Sequence, residues 1–319
     1  MTKVIDLLNG SRKPFASFEL VPPLKGSEAS RLYAQIDPLM EFHPPFINVT
    51  CHRDEVEYVP NGDGTFTRMT VAKRPSTVAI VAAIMRRYPD LEIVPHVICG
   101  GASRAKVESE LLDLHFLGIR NVVALRGDAI PGQRFFIPEK DGFSHSDELV
   151  EMVNHLNRGQ YMDPTVKDGL STDFCVGVAA YPEKHYEAAN LDSDIDNLKR
   201  KVEAGADYIV TQMFFDNERF FHFVDRCREK GISVPIVPGL KPMSAKRQID
   251  LLPRSFNIDI PQRLVDMMKK AKTADDAYQA GIDWCVGQSR ELLEHGVPAI
   301  HYYTMAKTEN VCQIVRAVF

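Results

Sequence analysis

The sequence lacks any long apolar run. Its longest uncharged apolar stretch, residues 78–85, falls far short of the ~20 residues a membrane-spanning helix needs. It has no basic excess: the formal net charge is -5 and the pI about 6.1, with no basic stripe, which argues against a nucleic-acid partner. Its six cysteines form no C-x-x-C pair and lie mostly in apolar segments, as reduced core thiols of a cytoplasmic protein do. Met1-Thr2-Lys3-Val4-Ile5-Asp6 does not read as a signal peptide. His52, His96 and His185 make no local metal pattern, so no metal is expected. No G-x-G-x-x-G or Walker A motif follows an apolar run, and Gly100-Gly101 and Pro238-Gly239 are too short for either. A dinucleotide bound here would not use the Rossmann device. No linker or low-complexity tract divides the chain.

What is present is a repeat. Apolar residues make up 45% of the 319, enough for a large core without disulfides or metal. Eight short runs stand out, at 15–21, 46–50, 93–99, 122–125, 174–180, 208–214, 234–237 and 299–303. They are continuous rather than alternating, as strands buried on both faces are. Segments 105–116, 195–202 and 277–293 carry helical periodicity between them. Gly118, Gly205, Gly231 and Gly296 each close a helix and lead into a run, the usual place for a left-handed glycine. Strand–helix alternation predicts a parallel sheet with right-handed crossovers. Eight strands predict an α/β fold, a (β/α)8 TIM barrel forming a single domain over residues 1–319. The long connections 51–73, 129–145 and 159–173 are assigned to loops after strands. The first holds a hairpin tip at Asn61-Gly62-Asp63-Gly64; the second carries Pro131-Gly132 and Phe135-Phe136.

Candidate chemistry gathers where barrel strands end, the place such folds build their active sites. Glu19 lies in Ser17-Phe18-Glu19-Leu20-Val21-Pro22-Pro23. Apolar neighbours make a carboxylate costly to ionise, which suits a general acid; pairing with a buried Arg or Lys is the equal alternative. In Arg126-Gly127-Asp128 the glycine admits close approach of a ligand and Asp128 sets a negative charge near a cofactor, unless Arg126 and Asp128 merely pair. In Tyr181-Pro182-Glu183-Lys184-His185, the histidine either donates to an anionic ligand or faces solvent. Asp194, Asn197 and Lys201 can share a helix face, and Arg200 adds a phosphate fork; a solvated face is the plainer reading. Gln212 either reads a polar ligand or bonds backbone. His96, inside the third run, reads more simply as a core residue.

Taken in order, several stretches resemble the methylenetetrahydrofolate reductase family. They are Ser17-Phe18-Glu19 with Pro22-Pro23, Pro95-His96, residues 123–128, Ala180-Tyr181-Pro182-Glu183 with His185, and residues 197–201. Ala204-Gly205-Ala206, Thr211-Gln212, Phe214-Phe215-Asp216, Pro238-Gly239 and His301-Tyr302-Tyr303-Thr304 continue the match to about residue 307. The resemblance implies an FAD-containing (β/α)8 barrel. NADH or NADPH would reduce the flavin, which would then reduce 5,10-methylenetetrahydrofolate to 5-methyltetrahydrofolate for methionine synthesis, in ping-pong order at one site. It also implies a cytoplasmic, self-associating enzyme.

By that resemblance Glu19 protonates the departing nitrogen as the folate imidazolidine ring opens to an iminium cation, and Asp128 stabilises the cation. Thr50, His96, Arg126, Gly127, Asp128, Tyr181, His185, Ala188, Asp194, Asn197, Arg200 and Lys201 are implied for FAD, the Arg200/Lys201 pair meeting pyrophosphate. Glu19, Asp128, Gln212, Gln248 and Lys307 are implied for folate, Gln212 being shared with nicotinamide.

The chain departs from the family pattern in places. Thr50 precedes Cys51-His52 where Thr-Tyr-Gly is frequent, and Met305-Ala306-Lys307 replaces Leu-Asn-Arg, losing a bidentate fork. Leu252 stands where an aromatic is frequent, and segment 54–67 reads as an insertion. The end at Phe319 implies no adenosylmethionine control through a further domain. Two other classes compete. A pterin-binding methyltransferase barrel would need no flavin and leave the 194–201 helix idle. A non-catalytic folate-binding subunit would tolerate loss of Glu19.

Overall fold

A computed structural model of the chain describes residues 2–130, 133 and 135–319; Pro131 and Gly132 lie outside the described residues. The eight expected runs all contain strands. The strands are β1 (Phe15–Leu20), β2 (Phe46–Val49), β3 (Glu55–Pro60), β4 (Phe66–Val71), β5 (Glu92–Ile98), β6 (Asn121–Leu125), β7 (Cys175–Ala180), β8 (Tyr208–Thr211), β9 (Ile236–Val237), β10 (Gly239–Leu240) and β11 (Ala299–Tyr303). Nine of them form one parallel sheet in the order β10-β11-β1-β2-β5-β6-β7-β8-β9. β9 and β10 are halves of one run split at Pro238, whose ring has no N–H for the ladder. One half pairs with β8 and the other with β11, so this run closes the barrel. β3 and β4 form a separate antiparallel hairpin across the expected Asn61–Gly64 tip.

Alternation along the strands divides the core in two. Phe46, Val94, Val123, Cys175, Tyr208, Val210, Val237 and Ala299 fill the barrel interior. Helix Val4–Gly10 plugs the N-terminal end, burying Val4 and Leu8 against that filling at roughly 1.5–3 kcal/mol per side chain. Asn121 fastens the plug: its Oδ1 accepts the Val4 N–H at 2.8 Å and its Nδ2 donates to Thr2 O at 3.0 Å. The opposite strand faces, among them Phe18, Leu20, Ile47, Val49, Val176 and Ile209, pack on Leu111, Leu114, Ile195, Leu198 and Phe223 of the surrounding helices. Both faces are buried, so the runs read as continuous.

The glycine junctions recur as expected. Gly118, Gly205, Gly231 and Gly296 all have φ between +79° and +110°. After each, the next N–H bonds back five residues, as from Ile119 to Leu114 O at 3.0 Å and from Ile232 to Cys227 O at 3.0 Å, which closes the helix and aims the chain at the next strand. One loop assignment is corrected. Segment 159–173 does not follow a strand: helix Ser146–Asn157 intervenes, and the segment leads into β7 at the end of the barrel opposite the mouth. That helix is fixed at its start by a capping box of His145 and Glu148.

Candidate active site

Glu19 sits near the C-terminal end of β1, where strand alternation points its side chain inward, and 14% of that side chain remains exposed. No Arg or Lys among the described residues pairs with it. Two imidazoles flank it instead: His96 Nε2 lies 3.6 Å and His301 Nε2 4.0 Å from Glu19 Oε2. Burial holds the pKa of His96 below the ordinary histidine value, against the pull of Glu19, so the ring is neutral at pH 7. Asn48 Nδ2 lies 3.3 Å from His96 Nε2, and an amide NH2 can only donate, so Nε2 is the acceptor. With Nε2 as the acceptor, the proton of the neutral ring sits on Nδ1, so His96 presents no N–H to Glu19. On the other side, His301 Nδ1 is bonded to Ser17 Oγ at 2.8 Å, and its Nε2 is buried without a hydrogen-bond partner. Below this layer the interior is apolar, through Val94, Val123, Val210 and Val237.

The second acid joins the same mouth. Asp128, exposed just beyond β6, does not pair with Arg126. Its charge acts with that of Glu19 on His52, whose pKa is nevertheless lowered by burial first and by Arg74 second. His52 is bonded to Thr50 Oγ1 at 3.0 Å. Tyr181 feels Asp128 and Asp194, while Tyr303 feels Glu19 and Tyr181; burial raises both phenols. Glu19, Thr50, His52, Asp128, Tyr181 and Tyr303 therefore gather around one opening. His301 and Tyr303 had no assigned role in the sequence. Their signal was the alternation in the last run, which turns both inward once that run is a barrel stave.

The remaining candidates collect at the ends of β6 and β7 and on helix Leu191–Glu203. Arg126 forms an ion pair with Glu187, and its guanidinium lies 5.0 Å from the Phe136 ring centroid. Gly127 has φ +84°. The His185 pKa falls to about 4, chiefly through burial and next through Arg126, so the ring is neutral. Its Nδ1 accepts the Glu187 N–H at 3.3 Å, leaving Nε2–H as a donor. Asp194 accepts the His185 backbone N–H at 2.8 Å, and Ala188 O accepts from Lys184 at 3.1 Å. Asp194 and Lys201 line a small hollow with Ala179, Ala180, Tyr181 and Leu198. The structure does not gather Arg200 and Lys201 into one grip. Lys201 turns in to donate to Ala179 O at 2.9 Å, while Arg200 stays on the outer face with Asn197 at 2.8 Å and Asp147 at 3.5 Å.

Gln212 takes a mixed place. Its Oε1 accepts the Met213 N–H at 2.9 Å, and the residue borders a hollow with Tyr181, Glu183 and Ile258. Gln248 Oε1 accepts the backbone N–H groups of Ser244 at 2.6 Å and Ala245 at 3.1 Å, which ties its carbonyl to the turn. Lys307 is exposed. Leu252 is buried among Met213, Met243 and Leu264. Five of the six cysteines are buried free thiols; burial pushes Cys99, Cys175, Cys227 and Cys285 up to about 12. No group of three or more metal-ligating side chains occurs among the described residues, and no helix there is long and apolar enough to cross a membrane.

Comparison with known proteins agrees with this geometry. The chain is 32% identical over 294 residues to 5,10-methylenetetrahydrofolate reductase of Escherichia coli, covering 92% of this chain and 86% of that protein. It is 30% identical over 301 residues to methylenetetrahydrofolate reductase 1 of Schizosaccharomyces pombe, covering 94% of this chain but 45% of that protein. The chain thus spans about half the length of its eukaryotic relatives. Among solved structures, a Clostridium thermocellum protein described as binding two copies of 5-methyl-5,6,7,8-tetrahydrofolic acid superposes with a TM-score of 0.57 at 15% identity, covering 98% of this chain and 96% of that one. A 2,3-dimethylmalate lyase superposes at 0.51 with 9% identity, covering 99% and 86%. At such identities these two speak for the barrel fold alone. The family model described as methylenetetrahydrofolate reductase matches residues 3–318, and the chain belongs to that family.

Proposed function

We propose that this chain reduces 5,10-methylenetetrahydrofolate to 5-methyltetrahydrofolate with electrons from NADH or NADPH, delivered through FAD in ping-pong order. The observation that carries this reading is Glu19, a carboxyl at a barrel mouth set between a neutral His96 and an unpartnered His301 Nε2. A group so placed can hold a proton and release it to a substrate nitrogen. Loss of the bond to that nitrogen leaves an exocyclic iminium, the form of the substrate that accepts hydride. Asp128, exposed at the same mouth and free of a cationic partner among the described residues, stabilises the developing positive charge. Gln212, beside Tyr181 and just past β8, is assigned to both substrates by the family resemblance, which fits alternation of the two at one place.

The donor set beside the mouth fits a flavin dinucleotide. Arg126 and the His185 Nε2–H provide donors for anionic oxygens, Gly127 allows close approach to the backbone, and the Asp194–Lys201 hollow adds a polar recess. A bound FAD would supply reversible two-electron transfer. Arg126 is paired with Glu187, so binding a phosphate oxygen there exchanges one anion for another. The relatives' own names include NADH for the Arabidopsis thaliana protein and NADPH for that of Caenorhabditis elegans. Both reductants therefore belong in the test.

The protein, purified and supplied with FAD, should retain it, bleach anaerobically with one of the two nicotinamides, and regain colour on addition of methylenetetrahydrofolate. Failure to hold FAD, or bleached enzyme that the folate does not reoxidise, would overturn the proposal.

A further inference from the structure

The barrel level that holds Glu19 also carries a lysine to which neither the sequence nor the family resemblance gave a role. Gly239 of β10 is in register with His301 of β11, and His301 with Ser17 of β1. Two residues further along each strand stand Lys241, Tyr303 and Glu19, and Tyr303 is itself in register with Glu19. At ~4.8 Å between neighbouring strands, the backbones of Lys241 and Glu19 are roughly 10 Å apart across the mouth. Gly239 faces inward, since a Cβ there would lie 2.2 Å from Thr211 O and 2.6 Å from the Tyr303 hydroxyl. Alternation therefore directs Lys241 inward as well.

Lys241 is only 7% exposed, yet its ammonium has no hydrogen bond or ion pair among the described residues. It is also not one of the unpartnered atoms sealed from solvent, so the stem is buried while the charged end keeps contact with solvent. Burial alone lowers its pKa, to about 8, and no neighbouring carboxylate offsets the cost. An ammonium held this way is destabilising without a counter-charge, and a fold tolerates that where a ligand provides one.

We propose that Lys241 binds an anionic oxygen, carboxylate or phosphate, on a ligand whose reacting ring lies against Glu19. This rests on the proposed function for the ring and adds the second anchor. Two sources carry such oxygens: the glutamyl end of a folate and the phosphates of a nicotinamide dinucleotide. Lys307 and Arg126 stand on other strand ends, so neither duplicates the position.

The test compares Lys241→Met and Lys241→Arg with the wild type by calorimetric titration with 5-methyltetrahydrofolate, NADH and NADPH, which requires neither flavin nor turnover. Lys241→Met should weaken one ligand class by about 10- to 100-fold, the range for a hydrogen bond to a charged group. Lys241→Arg should stay within several-fold of wild type. The thermal midpoint of ligand-free Lys241→Met should equal or exceed that of wild type, because an unpaired buried charge has been removed. Loss confined to the folate assigns the carboxylate; loss confined to the dinucleotides assigns the phosphate. Unchanged affinity for all three, or a lowered midpoint with affinities intact, would overturn the inference. Failure of the wild type to reduce folate, with a selective loss in Lys241→Met, would instead count against the proposed reaction.

Discussion

Glu19→Gln isolates the proton from everything else this side chain does. The substitution conserves volume, so the packing of β1 against β2 and β11 is retained. The glutamine keeps the polar side chain between His96 and His301. What disappears is the acid. General acid catalysis contributes typically ~10²–10⁴ in rate. The structure favours the upper part of that range, because the nearest imidazole cannot replace the donor. His96 is held neutral by burial, and His301 has its Nδ1 engaged by Ser17. A loss of roughly 10³–10⁴ corresponds to roughly 4–5.5 kcal/mol at ~1.36 kcal/mol per decade. Stopped-flow absorbance reads the two half-reactions separately. Flavin reduction by nicotinamide needs no proton from Glu19 and should stay within several-fold of wild type. Reoxidation by methylenetetrahydrofolate should slow by at least about a thousandfold. Equal loss in both halves, or a folate half-reaction slowed by less than about tenfold, would refute the assignment of the proton to this carboxyl.

Three further outcomes follow from the geometry. Arg126→Met should reduce the flavin retained on purification, whereas Glu187→Gln, which frees the guanidinium, should increase it; a decrease in both would place Glu187 within the flavin site itself. Gly205→Ala and Gly231→Ala both force an alanine into the left-handed region, at about 1–2 kcal/mol. Only Gly205 has a neighbour in the way, Asn154 Nδ2 at 2.4 Å from the new Cβ, so urea denaturation should show Gly205→Ala losing about 1–3 kcal/mol more. Burial pushes Glu183 up to about 7 from an ordinary 4.5, so on raising the pH the unfolded chain loses this proton first. The stability that Glu183 contributes is therefore present below about 4.5 and fades as the pH rises through about 7. Relative to wild type, the thermal midpoint of Glu183→Gln should rise between pH 5 and pH 8, and a constant difference would contradict the shift.

The barrel was legible because its strands are buried on both faces and its helices end on glycine, two signals that survive in a single sequence. Helix Ser146–Asn157 was not marked, although Ser146, Asp147 and Glu148 carry the polar start typical of one. That omission moved segment 159–173 to the wrong end of the barrel. The Glu19 reading left two alternatives open, and the structure offers a third: imidazoles rather than Arg or Lys. Such a pairing depends on register between β1, β5 and β11, which are far apart in sequence, so no local spacing announces it. Arg200 and Lys201 part company for a simpler reason. Adjacent helical residues point ~100° apart, and only one can turn toward β7. Lys241 was overlooked because Leu240-Lys241-Pro242 reads as a loop until β10 fixes its parity.

The chemistry also explains why the interior is built as it is. In the proposed reaction Glu19 gives up a proton once per turnover, which calls for protection from exchange through the floor of the barrel. Val94, Val123, Val210 and Val237, with the helix Val4–Gly10 plug beneath, make that floor apolar. Protons therefore reach Glu19 from the mouth, the side on which a substrate ring would lie. In the proposed reaction a ring covering the acid would leave its proton one destination, the substrate nitrogen. When the ring leaves, solvent at the mouth restores it. The sealed end of the barrel and the charged open end are thus two halves of one device, and a water-admitting change such as Val123→Ser should uncouple them. In such a variant the folate half-reaction should lose its dependence on the order of mixing with deuterated solvent, because Glu19 would exchange while covered. Retention of that dependence would show that the floor plays no part in timing the proton.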